Sequence, residues 1–208
     1  MPLAKIEATT NGALALWRIE EDEESLARMV APFEQVSDSI TNSYKRLEWL
    51  AGRALIRHLM ENMGLQFQGV TKDEFGKPFL VGSDYHLALS HSYPYVAALV
   101  DKNESVGIDL EQPKSKLARI APRVLDAVEL NDAGDNITKL CIYWCAKETL
   151  IKVYGKKDLT LAKNLKITPF QLNKGGDIIG RIIATGIETT IPLQYSVTEN
   201  FVLVWSKK

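Results

Sequence analysis

The sequence predicts an α+β fold built in two similar halves. Apolar residues recur at helical spacing over 41–63 and again over 137–154, and each run stops at a glycine, Gly64 and Gly155. Each run is followed by short β-rich stretches broken by turn residues. Between the two sets, Gln112, Pro113 and Lys114 break the pattern, which sets the expected boundary and gives halves of 1–112 and 113–208. Residue-level similarity between the halves is too weak to establish a duplication, so the repeat concerns architecture only.

Along the first half, 13–19 alternates as a strand, and the acidic run 20–24 leads into a short helix with Asp22 or Ser25 as its cap. In the long helix, Leu47, Leu50, Ala51, Ala54, Leu55, His58 and Leu59 share one face by spacings of three and four. The runs 67–71, 87–90, 95–100 and 105–110 then read as strands of an antiparallel sheet packed on that helix, punctuated by Gly76, Pro78, Gly82, Pro94 and Asn103. The second half opens with helical segments over 115–131, continues with the helix 137–154 and closes with strands at 165–170, 178–184, 189–198 and 201–206. Glu199 and Asn200 form the turn before the last strand.

With 46% hydrophobic and 25% charged residues, the 208-residue chain has the composition of a soluble globular protein rather than of a disordered or fibrous one. Its formal charge of -1 excludes a global field for gripping nucleic acid or an anionic membrane, so an anionic ligand must be held by a local basic cluster. Apolar runs such as 95–100 are far shorter than the roughly 20 residues of a spanning helix, and no signal pattern is visible at the N-terminus. The expectation is a cytoplasmic protein. Cys141 and Cys145, one helical turn apart, suit neither a disulfide nor a four-ligand zinc site and are expected to be small, buried and reduced.

Four places carry chemistry. Val106, Gly107, Ile108, Asp109, Leu110 and Glu111 run from an apolar strand into two carboxylates two residues apart, and these therefore share a face. Such a pair is either a solvated strand end or half of a site for a hard divalent cation. On the second long helix, Trp144, Glu148 and Lys152 share one face by spacings of four. A surface ion pair explains Glu148 and Lys152, but Leu140, Ile151 and Val153 make this helix apolar over much of its circumference, and a half-buried Glu needs a cation. Phe75, Gly76, Lys77 and Pro78 form a turn, either an ordinary one or one whose glycine lets the backbone approach a ligand. Leu89, Ser90, His91 and Ser92 end an apolar strand in groups suited to phosphate oxygens, although a lone His there is commonly structural. No partner acid lies near enough in sequence to make Ser90 a nucleophile.

Taken in order, these runs resemble the phosphopantetheinyl transferase superfamily, in particular its large single-chain Sfp type. Gly76, Lys77 and Pro78 followed by Ser90 and His91 match its first stretch; Gly107, Ile108, Asp109, Leu110 and Glu111 match its second; Trp144, Cys145, Lys147, Glu148 and Lys152 match its third. The upstream run Leu50, Ala51, Gly52, Arg53 is similar to the family's long-helix pattern. The final 50 or so residues carry no motif. The resemblance implies two α+β subdomains related by a pseudo-twofold, with coenzyme A in the cleft between them and a monomeric chain. Thr149 departs from the family's usual Ser or Ala, and the basic residues expected ahead of the long helix are missing, since no Lys or Arg lies between Pro32 and Tyr44. In the family those residues hold the 3'-phosphate of coenzyme A; Lys45, Arg46 and Arg53 are candidates for that role here, with Arg53 first.

The resemblance further implies a magnesium ion held by Asp109, Glu111 and Glu148, and transfer of the 4'-phosphopantetheine group of coenzyme A to a serine of an apo acyl or peptidyl carrier protein. Adenosine 3',5'-bisphosphate is the other product. Glu148 is the candidate base, Lys152 stabilises the pyrophosphate or protonates the leaving group, and Lys77, Ser90, His91 and Lys147 hold phosphates. The rivals are another magnesium-dependent phosphate-transfer enzyme and a non-catalytic coenzyme A or nucleotide-binding module.

Overall fold

The computed structural model describes residues 3–207, which divide into two compact units meeting at Ser105 and Val106, a few residues before the expected boundary at Gln112. The first unit contains β1 (Leu3–Ala8), β2 (Gly12–Arg18), α1 (Glu23–Met29), α2 (Ser43–Asn62), β3 (Val70–Lys72), β4 (Pro78–Leu80), β5 (His86–Ser92) and β6 (Tyr95–Asp101). Its sheet is antiparallel throughout, in the order β1-β2-β6-β5-β4-β3. The second unit contains β7 (Ile108–Glu111), α3 (Lys116–Val124), α4 (Ala127–Ala133), α5 (Ile137–Tyr154), α6 (Leu161–Asn164), β8 (Leu165–Ile167), β9 (Gly175–Ala184), β10 (Ile187–Val197) and β11 (Val202–Ser206). Its sheet is also antiparallel, in the order β7-β11-β10-β9-β8. Each unit is thus a long helix on an antiparallel sheet, the α+β arrangement the periodicity predicts.

Helix α2 begins at Asn42, whose side chain accepts from the Lys45 amide at 3.1 Å and satisfies one of the orphan N–H groups of the first turn. Its apolar stripe, with Leu55, Ile56, Leu59 and Met60 almost fully buried, lies on β6 and β2. Helix α5, capped by Asn136, is buried over much of its circumference: Leu140, Ile142 and Leu150 each remove an apolar side chain from water, about 1.5–3 kcal/mol apiece. The helical segments expected over 115–131 are α3 and α4, the chain restarting at α4 because Asp126 forms a capping box with Glu129. Asp22 rather than Ser25 caps α1, Ser25 being the donor.

Some placements differ from expectation, among them β4, which begins at Pro78 where only a turn is expected. The first strand, β1, carries no strong alternation of its own, yet it pairs along β2. More consequentially, β7, expected in the first sheet, is an edge strand of the second and pairs with β11. Among the described residues no helix is long and apolar enough to cross a membrane.

Candidate active site

In the second unit the chemistry gathers where α5 crosses β7. Gly107 permits the crossing: a Cβ there would lie 2.1 Å from the Thr149 carbonyl oxygen, so any side chain would push the helix off the strand. Thr149, the residue that departs from the family pattern, faces the sheet and donates its hydroxyl to the Val204 carbonyl at 3.1 Å, which satisfies the extra polar atom. With the helix held this close, Lys152 donates to Asp109 Oδ1 at 2.8 Å and to the Ile108 carbonyl at 2.7 Å. Glu148, one turn earlier on α5, has its pKa raised by burial and by the charge of Asp109, against the opposing charge of Lys152. Asp109, Glu148 and Lys152 are therefore one electrostatic cluster.

Glu111 stands two residues on from Asp109 along β7, but it contacts Lys116 at 3.2 Å and the Gln112 amide at 2.9 Å. Among the described residues no group of three His, Cys, Asp or Glu side chains is gathered as a metal site. The donor chemistry still fits a hard divalent cation. Asp109 and Glu148 carry oxygen donors of the kind such a cation takes, and the Lys152 ammonium offsets their mutual repulsion. Cys141 and Cys145 are free and buried beneath this cluster, and burial raises the Cys145 thiol pKa, with Cys141 and Asp109 adding to the shift. Both behave as the small reduced side chains expected.

Lys147 corrects the expectation of a phosphate ligand. Its side chain is 0% exposed, with the ammonium 2.6 Å from Glu129 Oε2 and also donating to the Leu161 and Leu165 carbonyls at 3.1 and 3.0 Å. Glu129, 1% exposed, in turn accepts from the Ile167 amide at 2.8 Å. Adjacent residues on a helix point about 100° apart, so Lys147 faces the core of its unit while Glu148 faces β7. Lys147 joins α5, α4 and β8.

In the first unit a cleft of about 410 Å³ is lined by Lys45, Glu48, Arg53, Lys72 and His91, with Trp49 among its walls. Arg53 is held by Glu34 at 2.9 Å and lies over the Trp49 ring. Glu48, 4% exposed, accepts from Lys45 at 2.7 Å, from His91 Nδ1 at 3.2 Å and from the Tyr93 amide at 3.0 Å. Burial opposes its ionisation, but the hydrogen bonds and charges of His91 and Lys45 hold its pKa down at about 2. Gly76 and Pro78, from the expected turn, also line the cleft. That turn joins β3 to β4: Gly76 has φ 87, and Asp73 accepts from the Phe75 and Lys77 amides at 2.9 and 2.8 Å. Lys77 reaches the Ser105 hydroxyl at 2.6 Å, and burial lowers its pKa. Ser90 is 5% exposed on β5. The sequence reading missed Glu48, Trp49 and Lys72. Glu48 and Trp49 sit within an ordinary amphipathic helix, and Lys72 meets the cleft only through the β3–β4 hairpin.

The fold is α+β; the second unit carries an acid and lysine cluster with donors suited to a cation, and the first unit carries a cation-lined cleft. Residues 105–206, just under half of the chain, match the family model of the 4'-phosphopantetheinyl transferase superfamily (ACPS). Members of the superfamily use coenzyme A as substrate, typically with a metal, and a carrier protein as partner. No match is found among the curated proteins.

Proposed function

We propose that the chain is a phosphopantetheinyl transferase of the single-chain Sfp type. In this reading it moves the 4'-phosphopantetheine group from coenzyme A to a serine hydroxyl of an apo acyl or peptidyl carrier protein and releases adenosine 3',5'-bisphosphate, acting as a cytoplasmic monomer. The observation that carries the reading is the family match over 105–206, within which Asp109, Glu148 and Lys152 form one cluster. Asp109, Glu148 and Glu111 would hold magnesium, which when bound neutralises the carboxylates and polarises the pyrophosphate.

The serine oxygen forms a bond to the β-phosphorus as the bond to the bridging pyrophosphate oxygen breaks. The serine proton passes to Glu148, whose raised pKa brings it nearer to the operating pH of a base than an exposed carboxylate is. Metal ligation competes with this duty, since a carboxylate bound tightly to a cation is a weak base. Lys152, within reach of Asp109, stabilises charge on the departing bisphosphate or gives it a proton. Arg53, Lys77, Ser90 and His91 are assigned to the phosphates of coenzyme A, with positioning and charge supplying most of the rate.

A non-catalytic coenzyme A-binding module is the second reading, favoured by one observation: the three carboxylates are not gathered into a metal cluster among the described residues. Intact mass of an apo carrier protein after incubation with the protein, coenzyme A and magnesium separates the two. A gain of one phosphopantetheine, abolished by chelator, supports the transferase. Coenzyme A binding without any gain on several carriers overturns it in favour of the module.

A further inference from the structure

The cleft of the first unit has a charge balance that turns on one residue. Lys45 and His91 both contact Glu48, and Arg53 is paired with Glu34 in an ion pair whose side chains are 8% and 9% exposed. Glu48 and Glu34 thus offset Lys45 and Arg53. Lys72, at the end of β3, lines the same cleft and, among the described residues, has no ion-pair partner. Its nearest acidic neighbour in sequence, Asp73, is occupied by the Phe75 and Lys77 amides of the turn. Among the residues that line the cleft, the uncompensated permanent charge is therefore the exposed Lys72 ammonium at the end of β3. His91 adds to it when protonated against Glu48.

Resting on the function proposed above, we infer that Lys72 is the specificity-determining contact for the 3'-phosphate of the coenzyme A nucleotide. It takes the place of the basic residues that are absent between Pro32 and Tyr44. A nucleotide fits a cleft of this size. The flat face of Trp49, backed by Arg53, suits its base, and a phosphomonoester is the group that an unpaired ammonium would select over a hydroxyl.

The test is equilibrium binding of adenosine 3',5'-bisphosphate and of adenosine 5'-monophosphate to wild type, Lys72→Ala and Lys72→Arg. Wild type binds the bisphosphate more tightly. Lys72→Ala loses about tenfold on the bisphosphate and little on the monophosphate, and Lys72→Arg keeps most of the preference. Equal bisphosphate binding by wild type and Lys72→Ala, or equal losses on both nucleotides, overturns this inference alone. Wild-type protein that binds neither nucleotide overturns the proposed function and this inference with it.

Discussion

Replacing Lys147 by Met tests whether the buried lysine of α5 serves the fold or the ligand. The substitution keeps most of the side-chain volume but removes the ammonium. That leaves Glu129 charged with only backbone donors, and the Leu161 and Leu165 carbonyls without their partner. Both side chains are essentially unexposed, so water cannot take over. Breaking a buried pair on one side costs about 3–5 kcal/mol. For a chain of this size, at about 2–4 °C per kcal/mol, the thermal midpoint falls by roughly 6–20 °C. Circular dichroism gives the midpoint, and coenzyme A binding is measured on the folded protein well below it. The expected result is a large loss of stability with near-wild-type affinity. In a double-mutant cycle with Glu129→Leu, the two changes are expected to couple by about 1–3 kcal/mol, because the second no longer leaves a lone charge. A Lys147→Met variant with an unchanged midpoint and a selective loss of coenzyme A binding would refute the reasoning and return Lys147 to the ligand.

Two further outcomes follow from the ionisable groups. Glu148→Gln should lower transfer at least about 100-fold while leaving the midpoint unchanged or raised, since burial and Asp109 both oppose the charge it removes; transfer rate and thermal midpoint on the same sample decide, and an active variant refutes the base assignment. A carboxyl with a raised folded pKa favours the folded state most at low pH and loses that contribution as pH rises above about 4.5 through the folded value, so the Gln variant should gain relative to wild type over that window. Glu48 has the opposite sign: its folded pKa of about 2 lies below the ordinary 4.5, so its contribution of roughly 3 kcal/mol is present above about 4.5 and is lost as pH falls toward 2. The stability difference between wild type and Glu48→Gln should shrink across that range in acid-unfolding measurements, and a constant difference would show that Glu48 is not the clamp on His91 and Lys45.

The α+β class is legible in the chain before it folds, because helical periodicity ended by Gly64 and Gly155 and the alternating runs that follow are local properties. Equally legible is that Glu148 and Lys152 share a helix face, and that Asp109 lies on a strand leading to Glu111, since i, i+4 and i, i+2 spacings are set by backbone geometry alone. The membership of β7 in the second sheet emerges from long-range pairing. Edge pairing with β11 is a contact between segments far apart in sequence, and no local pattern encodes it. That pairing, with the close approach over Gly107, brings Asp109 to Glu148 and Lys152 while Glu111 turns to Lys116. It also separated adjacent residues that the motif groups together. The 100° step of the helix sends Lys147 to a buried carboxylate on α4 that the motif does not contain, and burial without a partner is the one state a lysine cannot afford.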